Sequence, residues 1–279
     1  MINNNIKVIV FDLDGTLYED THHFDYYVKK IKEQLPEKEQ NAFAEEYAQF
    51  MNDNHTLKIG RIYDVQEDLI IDQVKDKIKN VFTWEGNVLA DSEVKKLYPE
   101  AVPIDMERFF SIGDMWWVPN ALARHYGLER SHTQDAFLKT REHMMTEAFK
   151  MNPVPGFSNC LESLKDKVNL VLMTNSPEPD SRVILEKLGL SNVFKKLVFN
   201  AKKPTATNDH FLDFKETFNV SYNEILSVGD NYLNEILPAN LLGCSTIYID
   251  PHSTLVDRSS EIVVKSITEV IPMIEKLGK

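Results

Sequence analysis

Two carboxylates in the segment Asp12-Leu13-Asp14-Gly15-Thr16 follow directly on the apolar run Val8-Ile9-Val10-Phe11. The run is β-branched or aromatic throughout, which predicts a strand covered on both faces, and Gly15 supplies the turn that ends it. Ligands of open α/β sheets gather at such carboxyl ends. If strand geometry persists to the aspartates, both side chains share one side, where two negative charges are costly without a cation. A lone Asp-Gly is ordinarily a turn cap. A pair placed after a buried strand is a candidate cation site.

Three further motifs offer complementary groups, each weak by itself. Val171-Leu172-Met173 leads into Thr174-Asn175-Ser176, which presents a hydroxyl, an amide and backbone donors of the kind that hold a phosphoryl oxygen, or else a polar turn before Pro177. Lys202-Lys203-Pro204 follows Leu197-Val198-Phe199; a lysine fixed there neutralises a phosphate or the aspartates, and an exposed loop lysine is the plainer alternative. Leu226-Ser227-Val228 runs into Gly229-Asp230-Asn231, a third strand-end carboxylate, with Asn234 and Glu235 one helical turn on. Alone, that is an ordinary helix cap.

The elements that must bring these motifs together read as a parallel sheet with crossover helices. Strands are expected at Val168 to Met173, Ile225 to Val228, Thr246 to Ile249 and Ile262 to Val264, and helices at Gly156 to Lys165, Asp180 to Leu188, Asn208 to Phe218, Leu233 to Leu242 and Ile267 to Leu277. The strand near residues 6 to 12 has no partner close in sequence, so it joins the sheet built after residue 153. The intervening stretch has helical periodicity in His22 to Leu35, Glu37 to Asn52, Tyr63 to Val81 and Gln134 to Phe149, with a short strand possible at Phe109 to Ile112. The expected fold class is α/β. A Rossmann-like, doubly wound parallel core formed by residues 1–17 and 152–279 carries a mostly helical cap, residues 18–151, inserted after the first strand.

Composition narrows the class of partner. The 279 residues are 43% hydrophobic and 27% charged, and 31 basic against 43 acidic residues leave a net charge of -12. Such a field repels nucleic acid and anionic membranes, so no nucleic-acid or membrane partner is expected, and a phosphate ligand must be captured locally. Cys160 and Cys244 have no metal-ligand spacing and read as buried thiols of a reducing compartment. The stretch from Met1 to Lys7 and the four apolar residues after it are too short for a signal core or a membrane span, and a cytoplasmic location is expected. In the insertion, Trp84, Phe109-Phe110 and Trp116-Trp117 fit core packing or stacking on a base. His22-His23 reads as a solvated helix start.

With all four motifs in order, the chain resembles the haloacid dehalogenase superfamily of aspartate-nucleophile hydrolases, in its phosphatase branch with an α-helical cap of the first type. Asp12-Leu13-Asp14-Gly15-Thr16 matches the first motif, Thr174 the second, Lys203 before Pro204 the third, and Gly229-Asp230 with Asn234-Glu235 the acidic fourth. The resemblance implies that Asp12 attacks phosphorus, that Asp14 acts as acid and then base, and that Mg²⁺ is held by Asp12, the Asp14 carbonyl and Asp230. It further implies that Thr174, Asn175 and Lys203 bind the phosphate. Many members carry an aspartate where Glu235 stands, and Glu235 with Asn234 is expected in an outer role, through a water. Dehalogenases of this family lack a counterpart of Asp14, so a phosphatase is favoured over a dehalogenase. The expected partner is a small phosphorylated metabolite such as a nucleotide or sugar phosphate, acted on by a monomer or homodimer. A phosphomutase acting on a sugar phosphate, and a non-catalytic sensor of Mg²⁺ and phosphate, are the alternatives.

Overall fold

A computed structural model describes residues 5–74, 77–254 and 262–278. They divide into two compact units, with chain crossings after Asp20 and after Arg141. The insertion is therefore shorter at both ends than residues 18–151. Specific bonds keep both connecting stretches with the first unit. Asp20 accepts from the Asn152 backbone N–H at 2.7 Å and its side-chain amide at 2.6 Å, and Lys187 Nζ donates to the carbonyls of Met144, Thr146 and Phe149 at 2.7 to 2.8 Å.

The first unit is built on a six-stranded sheet in the order Ile262–Val264, Ser245–Ile249, Ile225–Gly229, Val8–Phe11, Asn169–Met173 and Lys196–Val198, all neighbours parallel. Val8–Phe11 thus joins the later strands as expected, with Phe11 level with Leu172 on one side and Val228 on the other. Its alternation fills both faces. Val8 and Val10 pack with Phe211 and Phe214 of helix Thr207–Thr217, whereas Phe11 meets Phe157 of helix Phe157–Leu164 at 6.0 Å between ring centroids. Each such burial of a large side chain is worth roughly 1.5–3 kcal/mol. Helices on both faces make the sheet doubly wound, and the strand order reverses at Val8–Phe11, which is where such sheets open a ligand crevice.

The expected strands of this unit form within one residue of their bounds. One helix departs from expectation. In place of a regular helix over Leu233 to Leu242, a π-helical turn at Tyr232–Ile236 precedes a short α-helix at Leu237–Leu241. Pro238 has no N–H to give the Asn234 carbonyl, which accepts instead from Thr207 Oγ1 at 3.1 Å. Cys160 and Cys244 are buried free thiols, and burial pushes them up to about 11 and about 12. Among the described residues no helix is long and apolar enough to cross a membrane. The amino-terminal residues before Asn5 lie outside those described.

The second unit contains helices His23–Lys32, Glu37–Met51, Asp91–Leu97 and Trp117–His125 and most of Arg130–Met145. The helix expected over Tyr63 to Val81 is not there. Ile62–Asp64, Leu69–Val74 and Lys77–Thr83 are strands of a four-stranded antiparallel sheet completed by Phe109–Ser111; residues 75 and 76 lie outside those described. Interspersed Asp, Glu and Lys imitate a helical period here, but Ile70 and Ile71 serve opposite faces, as only a strand allows. Tyr63, Ile70 and Phe110 face a core with Phe24, Ile31 and Phe43, while Ile62, Ile71 and Phe109 pack with Tyr98 and Val102. The buried Asp64 carboxylate is answered by Arg108 Nε and Nη2 at 3.0 and 2.8 Å and by Tyr98 Oη at 2.8 Å.

The aromatic residues of this unit go to packing. Trp84 is buried with its indole stacked on His125 at 3.9 Å, and the half-buried Trp116 and Trp117 pack against the same core. His23 is not a solvated residue, being 2% exposed with its ring 5.0 Å from that of Trp116. His55 Nδ1 accepts the Leu57 N–H at 2.8 Å, which needs a neutral ring, and burial, aided by the charge of His125, pulls its pKa down to about 4. A depressed histidine pKa contributes stability that is complete above the unfolded value of 6.5 and is lost as pH falls toward 4. Thermal stability followed across that window is expected to fall with acid, and His55→Asn, whose amide oxygen can take the same N–H, to flatten that slope. An unchanged slope in the variant would contradict the assignment.

Candidate active site

Asp12 follows strand Val8–Phe11, Thr174 follows Asn169–Met173, Asp230 follows Ile225–Gly229, and Lys203 comes from the loop after Lys196–Val198, so all four motifs stand at the carboxyl edge of one sheet. The lysine loop is zipped onto the Thr174 loop. Ala201 N donates to the Thr174 carbonyl at 2.9 Å and Asn200 N to the Ser176 carbonyl at 3.0 Å. The Asn175 carboxamide then brackets the lysine backbone: Oδ1 accepts Lys203 N–H at 2.7 Å and Nδ2 donates to the Lys203 carbonyl at 3.0 Å. Lys203 is thereby turned inward at 7% exposure, while Lys202, in the left-handed region at φ 53°, stays exposed. This separates the two lysines. It also spends the Asn175 side chain on the protein, so what Asn175 can offer a phosphate is its backbone N–H.

Lys203 Nζ donates to Asp12 Oδ1 at 2.6 Å and to Glu235 Oε1 at 2.5 Å. Glu235 Oε2 accepts the Asn231 N–H at 2.9 Å. Gly229 admits this arrangement because a Cβ there would lie 2.6 Å from Glu235 Cγ. Burial opposes the lysine charge, yet Asp12 and Glu235 outweigh it and hold Lys203 above its ordinary value. Burial pushes the Asp12 carboxyl up, Lys203 draws it back, and Asp14 adds an upward push; Glu235 is raised to about 8, again by burial against the pull of Lys203. The cation between two buried acids stays charged, and it is what draws both carboxyl groups back toward their ionised form. The direct Glu235–Lys203 bond differs from the expected role through a water.

Asp14 points its carboxylate elsewhere: Tyr18 Oη donates to Oδ1, and Ser176 Oγ donates to Oδ2 at 2.6 Å. Thr174 Oγ1 accepts the Ser176 N–H at 3.0 Å, leaving its own proton to be donated. Asp230 lies against the first motif, since a Cβ on Gly15, at φ 72°, would stand 2.1 Å from Asp230 Oδ2. The residues fit Mg²⁺. Among the described residues no three His, Cys, Asp or Glu side chains converge as a ready cage, but Mg²⁺ takes one or two carboxylates, with waters and substrate oxygens completing its shell. Asp12, Asp230 and the Asp14 carbonyl offer hard oxygens of that kind at one strand edge.

Sequence reasoning missed Tyr18, Ser176 as a partner of Asp14, and Asn231. A signal existed for Tyr18. Leu17 N donates to the Leu13 carbonyl at 2.9 Å, one turn of helix that sets residues 14 and 18 on one side. The expected Asn234 offers its backbone: its N–H goes to Asn231 Oδ1 at 3.2 Å and its carbonyl to Thr207.

The chain matches the family described as haloacid dehalogenase-like hydrolase over residues 6–243. No curated protein sequence matches it at a significant level. Among solved structures, it is similar to a protein described as a HAD-hydrolase, YfnB of Bacillus subtilis, bound to magnesium, at TM-score 0.53 and 14% identity over 96% of this chain and 98% of that one. A dehalogenase solved with an intermediate complex aligns at TM-score 0.50 and 16% identity, over 98% of both chains. A haloacid dehalogenase-like family hydrolase of Xanthomonas campestris aligns at TM-score 0.50 and 12% identity, over 98% of this chain and 96% of that one. These likenesses concern the fold, whereas the family match spans the four motifs, and the chain belongs to the haloacid dehalogenase-like hydrolases.

Proposed function

We propose that the chain is a phosphatase, hydrolysing the phosphomonoester of a small metabolite through an aspartyl-phosphate on Asp12, with Mg²⁺ as cofactor. The observation that carries this reading is the Asp12 carboxylate, buried at a strand end, with one oxygen held by Lys203 at 2.6 Å and the other left to attack. Asp12 Oδ2 forms a bond to phosphorus while the ester P–O bond breaks, and Asp14 gives its proton to the departing alcohol. Asp14 then takes a proton from water as that water attacks phosphorus, which frees phosphate and restores Asp12. Lys203 and the Thr174 hydroxyl donate to phosphoryl oxygens, where positioned charge does most of the work. Held by Asp12, Asp230 and the Asp14 carbonyl, Mg²⁺ would supply neutralising charge.

Asp14 separates this reading from dehalogenation, where no alcohol must be protonated. A net charge of -12 suits a soluble metabolite, a nucleotide or sugar phosphate, better than a polyanion. Phosphate release from a panel of metabolite monoesters tests the proposal. Turnover is expected with Mg²⁺, lost on chelation and restored by adding Mg²⁺ back; no release from any ester would overturn it.

A further inference from the structure

Asp14 is gripped by two hydroxyls, one on each carboxylate oxygen: Tyr18 at Oδ1 and Ser176 at Oδ2. The two donors come from separate parts of the chain and are themselves fixed. Tyr18 is 1% exposed at the end of the turn that begins at Leu13, and Ser176 is 6% exposed, its backbone N–H bonded to Thr174 Oγ1 at 3.0 Å. An aspartate side chain has two torsions, and two directed bonds to its two oxygens determine both. A carboxyl group keeps acceptor capacity when protonated, so the two hydroxyls can hold it before and after it gives up its proton. Position matters for a group that hands over a proton, because a displacement of about 1 Å can cost roughly 100-fold in rate.

We propose that Tyr18 and Ser176 are the positioning residues of Asp14 and thereby set the rate at which the leaving alcohol departs. The assignment rests on the phosphatase reading above. In the step concerned, the ester P–O bond breaks, its electron pair stays on the alcohol oxygen, and the proton of the Asp14 carboxyl goes to that oxygen. An alkyl alcohol needs this proton, whereas a nitrophenolate leaves without it.

The test compares Tyr18→Phe, Ser176→Ala and the double variant on an alkyl phosphomonoester and on p-nitrophenyl phosphate. kcat/KM is read because it reports the steps up to loss of the leaving group. On the alkyl ester each single change is expected to lower kcat/KM by roughly 10-fold and the pair by up to about 100-fold, within the range that general acid catalysis supplies. On the aryl ester it changes less than about threefold. In an Asp14→Ala background, Tyr18→Phe adds no further loss on either ester. Equal losses on both esters mean that the hydroxyls merely support the fold, and no loss on either means that they do not position Asp14; each result overturns the assignment. The alkyl ester is the best substrate of the metabolite panel; wild-type protein that releases phosphate from no member of that panel and not from p-nitrophenyl phosphate overturns the phosphatase reading itself, and the assignment with it, before any variant is compared.

Discussion

Asp12→Asn is expected to lower turnover by roughly 10⁴-fold or more while the protein stays folded, as loss of a nucleophile does elsewhere. The change keeps the shape of a side chain that is 8% exposed. The amide oxygen can still accept from Lys203, and Lys203 keeps Glu235 at 2.5 Å, so the lysine is not left buried without a carboxylate. Stability should therefore change by no more than about 1–2 kcal/mol. Thermal unfolding and phosphate release on the same preparation check both halves of this expectation. Retained turnover would remove Asp12 as the attacking group, and a collapsed fold would mean that the carboxylate serves structure more than chemistry.

Lys203→Met has the larger expected effect on stability. Its ammonium answers two carboxylates that are themselves buried, with side-chain exposures of 2% for Lys203 and Glu235 and 10% for Asp12. Removing one partner of a buried ion pair costs about 3–5 kcal/mol, because the opposite charge stays behind without compensation. Here two buried carboxyl groups, Asp12 and Glu235, lose that compensation. The double variant Lys203→Met with Glu235→Gln removes one of them and should recover part of the stability, but no activity, since the donor to the phosphoryl oxygens is still missing. Chemical denaturation of the single and double variants measures this; a single variant within about 1 kcal/mol of the parent would show that Asp12 and Glu235 find other compensation.

The parts of the fold legible in the sequence were those in which one physical signal dominates. Val8-Ile9-Val10-Phe11 is apolar at every position because helices cover both faces of its sheet, and the motifs at the strand ends mark the edge where ligands gather. The region from Tyr63 to Val81 was illegible for the opposite reason. Its sheet is covered by different partners on its two faces, so apolar residues such as Ile70 and Ile71 fall side by side, and charged residues between the runs add a spurious helical period. The π-helical turn before Pro238 likewise depends on a distant hydroxyl, that of Thr207, to receive the carbonyl the proline leaves. Within the site, residue types revealed what each group can do but not which neighbour it would choose. Glu235 could have approached a metal and instead binds Lys203, and Asn175 could have offered its amide to a phosphate and instead clamps the lysine backbone.

The central claim is that a phosphoryl group rests on Asp12 during turnover. An acyl phosphate is reduced by borohydride to the corresponding alcohol, which turns a phosphorylated aspartate into homoserine. Protein quenched with borohydride while turning over a phosphomonoester with Mg²⁺, then digested and weighed by mass spectrometry, should carry homoserine at position 12, and none when substrate is withheld. Homoserine at another carboxylate, or none at any position while phosphate is being released, would contradict the account.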